Sequence, residues 1–171
     1  MIISKEEAMK NLVIGWGLPK CLQERNEEVF FKFDDVGILN TNEKGYYVRD
    51  GNLKFCLFEP ATGSALFTMD FFKINPDLYG NKSVIKLELL YVHQESLRKN
   101  GIASYYIEKL IQYAIQENMD YITVTAIADA ENFENDNLIN ALSQEELEAF
   151  YRKWSSPQMQ IEVKNLDTYY E

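Results

Sequence analysis

The sequence predicts a mixed α/β (α+β) fold in a single domain over residues 1–171, with a central, mostly antiparallel sheet, one parallel βαβ pair and flanking helices. Three observations predict it. Tyr46 to Glu59 reads as a hairpin about Asp50-Gly51, and VIKLELLYV (84–92) alternates as a strand. Ile102, Tyr106, Leu110 and Ala114 then recur at fourfold spacing, just ahead of a β-branched run at Tyr121–Ile127. Strand, amphipathic helix, strand is a right-handed crossover, so these two strands should be parallel neighbours.

Taken in order, Ser4-Lys5-Glu6-Glu7 has the S-x-x-E form of a capping box and predicts a helix over about Lys5–Val13. Gly15 to Pro19 breaks it, and Pro19 suits the first turn of a second helix reaching about Glu28. Phe30 to Asn40 has no decisive pattern. Pro60 to Gly63 turns the hairpin into a long aromatic-rich strand, Ala65–Ile74, and a loop follows from Asn75 to Asn81. In the next strand, Val84–Val92, alternation puts Ile85, Leu87, Leu89 and Tyr91 on one face and Val84, Lys86, Glu88, Leu90 and Val92 on the other. The crossover helix runs over about Ile102–Glu117. After an acidic, Asn-rich stretch, a second S-x-x-E box at Ser143 opens a helix to about Lys153. Ser155-Ser156-Pro157 ends that helix, and Met159–Val163 is the last strand.

The net charge of −10 argues against a nucleic-acid partner, which requires a basic surface, and would favour approach of a cationic substrate. Cys21 and Cys56 lack CxxC spacing and read as reduced, buried thiols of a cytoplasmic protein. No apolar run approaches the ~18 residues of a membrane span, so no membrane partner is expected. GxxxxGK[ST] and GxGxxG are both absent. One histidine, His93, rules out multi-histidine metal sites, and the acidic run after Asp129 lacks the glycine and final Glu of a calcium loop. No metal cofactor is expected.

Arg98-Lys99-Asn100-Gly101-Ile102-Ala103 lies between strand and crossover helix. Orphan amides at a helix N-terminus carry partial positive charge and form an anion site. Gly101 and Ala103 leave room for a phosphate near the backbone, and Arg98 and Lys99 add charge. Here the chain resembles the GNAT superfamily of acyl-CoA-dependent N-acyltransferases, whose [QR]-x-x-G-x-[GA] signature follows a strand ending in Leu-x-Val. Leu90-Tyr91-Val92 and Arg98-x-x-Gly101-x-Ala103 match it.

The resemblance implies that backbone amides of Arg98, Lys99, Asn100, Gly101, Ile102, Ala103 and Ser104 bind the pyrophosphate of acetyl-CoA. It implies a splay between the parallel strands filled by the pantetheine arm, hydrogen-bonded near Tyr91 and Val92 as an added strand would be. An amide near Leu90 would then serve as oxyanion donor. It also places Tyr151, of the Phe150-Tyr151 pair, as the acid for the departing thiolate. Glu88, His93 or an ordered water would be the base, and Asp129 and Glu131 could grip a cationic acceptor. The activity implied is N-acetylation of a primary amine on a small molecule or peptide, in a protein that can dimerise. The alternative is a catalytically inactive CoA-binding or interaction module of the same fold. Gln144 and Ser155-Ser156 stand where the family commonly has Asn and Gly-Phe.

Overall fold

The computed structural model describes residues 2–39, 45–126 and 142–165. Ser4 caps helix α1 (Lys5–Gly15), its hydroxyl accepting from Glu7 N–H at 3.1 Å. The expected second helix is instead a 3-10 run, Lys20–Arg25, with Pro19 just before it. The undecided stretch supplies a short strand, β1 (Phe30–Lys32). The hairpin forms as expected: β2 (Tyr47–Arg49) and β3 (Asn52–Glu59) pair with Arg49 opposite Asn52, leaving Asp50-Gly51 as a two-residue loop. β4 (Ser64–Ile74) and β5 (Val84–Val92) follow, then α2 (Ile102–Gln116) and β6 (Tyr121–Thr125). Ser143 and Glu146 make a reciprocal capping box for α3 (Gln144–Trp154), and β7 (Gln160–Lys164) ends the described fold.

The sheet runs β1-β3-β4-β5-β6-β7, with β2 also on β3. Its first half is antiparallel, whereas β5/β6 and β6/β7 are parallel. Parallel pairing of β7 with β6 adds a second crossover, through α3. This mixed α+β architecture is consistent with a GNAT-like fold.

Buried side chains from all three helices join one core with the strands, built around Phe55, Phe67, Phe71 and Tyr106. Tyr106 stacks on Phe67 with ring centroids 4.9 Å apart and donates its hydroxyl to Gly17 O at 2.9 Å. A smaller cluster of Ile38, Tyr46, Cys56 and Ala65 is separate from it.

One irregularity interrupts β5. Asp70 pairs with Leu89 and Phe71 with Leu87, so Glu88 is the extra residue of a β-bulge. Beyond it the alternation reverses. Leu90 and Val92, opposite Met69 and Phe67, pack against the main core, while Leu89 and Tyr91 turn to the other face with Asp70 and Thr68. Strict alternation assigns these four the other way round, and the bulge corrects it.

Candidate functional site

β5 and β6 are paired only from Val84/Tyr121 to Leu87/Val124. Past Leu87, β5 continues for five residues without β6, still paired to β4. The bulge at Glu88 lies where the two strands part, and a bulge bends the strand that carries it. Among the described residues, a gap therefore opens on the β6 edge of β5.

His93 N–H donates to Leu66 O at 3.0 Å, which makes Leu66/His93 a hydrogen-bonded pair. Alternation then turns the amides and carbonyls of Val92 and Leu90 away from β4, into the gap, while those of Tyr91 face Thr68 in the ladder. The backbone groups of this stretch that face the gap are thus those of Leu90 and Val92, where the expectation named Tyr91 and Val92.

The loop from β5 into α2 is tightly held. Gly101 occupies the position before α2 with φ +87°, the left-handed region that glycine enters without a Cβ penalty. Lys99 is also left-handed, at φ +63°. The first intrahelical acceptor is Gly101 O, taken by Tyr105 N–H at 3.0 Å, so the amides of Ile102, Ala103 and Ser104 precede the helix ladder. A Cβ on Gly101 would meet nothing within 4 Å, so the approach to these amides is open there. Lys99, Asn100 and Gly101 are exposed, Ala103 and Ser104 half-buried, and the Ile102 side chain anchors in the core.

Arg98 and Asn100 serve the loop itself. Asn100 Nδ2 donates to Ser96 O (3.2 Å) and Arg98 O (3.0 Å). The Arg98 amide is engaged with Glu95 O at 3.2 Å. The residue as a whole is only 7% exposed. The guanidinium donates to Val92 O (2.9 Å), His93 O (3.1 Å) and the Tyr91 hydroxyl (2.9 Å), and lies over the Tyr91 ring at 5.4 Å. Its positive charge is therefore turned inward, away from the exposed loop surface.

Glu88 and Tyr151, expected as base and acid, lie outside this loop. Glu88 is exposed in the bulge and pairs with Lys86 at 3.1 Å. Tyr151, on α3, is buried in the main core with Val124, Ala126, Met159 and Ile161. Burial pushes its phenol well above the ordinary tyrosine value. That keeps the hydroxyl protonated at neutral pH. Gln144 donates to Ala126 O at 2.6 Å, and Ser155 Oγ accepts from Ile161 N–H at 2.8 Å, so these residues tie α3 to β6 and β7. Asp129 and Glu131 lie outside the described residues.

A polar chain that sequence reasoning missed runs beside the loop. Tyr46 hydroxyl meets Thr68 Oγ1 at 2.9 Å, and Thr68 Oγ1 meets His93 Nε2 at 2.7 Å. A signal for it exists. In ALFTMDFF (65–72), Thr68 and Asp70 interrupt an apolar strand at period two, which marks a polar line on one face. Cys56, opposite Thr68, is also close, but burial pushes its thiol up to about 12 and leaves it unreactive. Cys21 is exposed, contrary to expectation. Among the described residues there is no group of three or more His, Cys, Asp or Glu placed to hold a metal ion, and no helix long and apolar enough to cross a membrane.

No family model matches the chain, and no curated protein matches it. Among solved structures it is similar to an integron cassette protein from the mobile metagenome of V. cholerae, at 19% identity and TM-score 0.37. That likeness covers 48% of this chain and 49% of the other. It is also similar to a transcriptional regulator from Bacillus halodurans C-125, at 17% identity and TM-score 0.39, over 50% of this chain and 57% of that one. The chain thus spans about half the length of these two structures.

Proposed function

We propose that the chain is an acyl-CoA-dependent N-acyltransferase that moves an acetyl group from acetyl-CoA to a primary amine. One observation carries the reading. Two parallel strands part after Leu87 and Val124, and the strand left open leads, by a short loop, to a glycine-opened helix start. The first-turn amides of α2 and those of the loop would take the pyrophosphate. The pantetheine arm would lie along β5 as a missing neighbour strand, using Leu90 and the Val92 amide.

The amine nitrogen would attack the thioester carbonyl carbon, whose oxygen becomes an oxyanion against Leu90 N–H. Collapse of the tetrahedral intermediate breaks the C–S bond and releases the CoA thiolate. Tyr151 would donate a hydrogen bond to that thiolate, and the nitrogen's proton would leave to Glu88, His93 or water. Isothermal titration with acetyl-CoA at up to near-millimolar concentration tests the cofactor, and thiol release against a panel of amines tests the transfer. Absence of both binding heat and thermal shift would rule the reading out.

The second reading, a CoA-binding module without turnover, is favoured by the Glu88–Lys86 ion pair and the buried phenol of Tyr151. Binding of acetyl-CoA without thiol release from any amine would select it.

A further inference from the structure

We propose that Arg98 is a positioning residue, whose fork of donors locks the open end of β5 to the loop that starts α2. This rests on the acyl-CoA reading for its consequence, though the lock itself is a property of the free protein. Val92 O faces the gap, where a continuing β6 would have offered an amide; Arg98 Nε takes that place at 2.9 Å. From the same side chain Nη2 reaches His93 O and the Tyr91 hydroxyl, so one planar group holds three consecutive residues. The Arg98 backbone meanwhile belongs to the loop, three residues ahead of Gly101. Two sets of donors, the gap-facing amides of β5 and the first-turn amides of α2, must meet one extended cofactor at once. The Arg98 side chain sets their separation.

The lock also limits the added strand. With Val92 O occupied, the backbone groups left for a pantetheine arm are Leu90 O, Leu90 N–H and Val92 N–H. A lysine keeps the charge but presents a single ammonium in place of a planar fork, so it cannot reproduce three separated contacts. If Arg98 worked by attracting phosphate, lysine would be an adequate substitute.

The experiment compares Arg98→Lys and Arg98→Ala with the unmodified full chain, each well below its own unfolding temperature. Acetyl-CoA affinity is measured by calorimetry, and amide hydrogen exchange is followed at His93 and Tyr105, whose N–H groups are bonded on either side of the lock. Both variants should lose affinity alike, by on the order of tenfold to a hundredfold, as expected for misplaced binding groups. Both should also exchange faster at His93 and Tyr105. An Arg98→Lys variant with unaltered affinity, beside a weakened Arg98→Ala, would overturn the proposal in favour of a charge effect. Unchanged exchange in both variants would overturn it as well. If the unmodified chain binds no acetyl-CoA, the cofactor reading fails by itself, and the exchange data still decide whether Arg98 holds strand and loop together.

Discussion

The two edges of β5 behave differently. Toward β4 the strand is paired along its length, from Val84 opposite Ile74 to Val92 opposite Phe67, while toward β6 it is paired only as far as Leu87. The antiparallel side carries the aromatic core, with Phe67, Met69 and Phe71 fully buried. On the parallel side, among the described residues, no strand continues the pairing beyond Leu87, and Arg98 takes up Val92 O. Stability and the candidate chemistry are thus divided between the two edges of one strand.

That division can be broken on either side. The largest effect is expected on the paired side. Tyr106→Ala removes a wholly buried ring, its stack on Phe67 and its bond to Gly17 O, and should cost about 3–5 kcal/mol in urea unfolding. If the loss were under about 1 kcal/mol, the aromatic core would not be the stabilising half. On the open side, Tyr151→Phe keeps the buried ring and should lower thiol release about a hundredfold at unchanged acetyl-CoA affinity. Equal loss of both would deny the hydroxyl a role in the transfer.

Gly101→Ala meets no steric obstacle, so its penalty is that of the left-handed backbone alone, about 1–2 kcal/mol. It should weaken acetyl-CoA binding more than Tyr151→Phe does, since it disturbs the helix start. A calorimetric comparison of the two variants orders these effects.

The smallest effect concerns pH. Cys56 ionises near the ordinary thiol value of 9.0 when unfolded and at about 12 when folded. Its neutral form is therefore favoured by the fold; the contribution is complete below pH 9 and is lost as pH rises toward 12. Cys56 should account for a fall in unfolding free energy of about 1 kcal/mol between about pH 9 and 10. Cys56→Ala should make the slope shallower by that amount, with raised phenols such as those of Tyr106 and Tyr151 supplying the rest. An undiminished slope in the variant would assign it to those other groups.

Much of this fold is legible in the sequence because it is local. Asp50-Gly51 specifies a two-residue hairpin loop, Ser143 with Glu146 specifies a helix start, and the fourfold spacing from Ile102 specifies α2. The bulge is not legible. Whether Glu88 alternates or is skipped depends on β4, a partner fourteen or more residues earlier in the chain. Every β5 residue beyond it is consequently assigned to the wrong face by alternation alone. Arg98 is misjudged for a related reason. Its charge suits a phosphate, but Val92 O, left by the missing neighbour strand, competes for the same donors, and only the fold reveals it. β1 escapes notice because a three-residue strand has too little pattern to register.

The bonds from Tyr105 and Tyr106 to the carbonyls of Trp16 and Gly17 have a practical consequence. They fasten the start of α2 to a segment distant in sequence, and Trp16 in that segment stacks on Phe71, with centroids 6.2 Å apart and planes 25° apart. A small displacement of α2 would alter the surroundings of this indole. Trp16 thus offers a label-free optical reporter on the first turns of α2, once Trp154→Phe removes the second tryptophan.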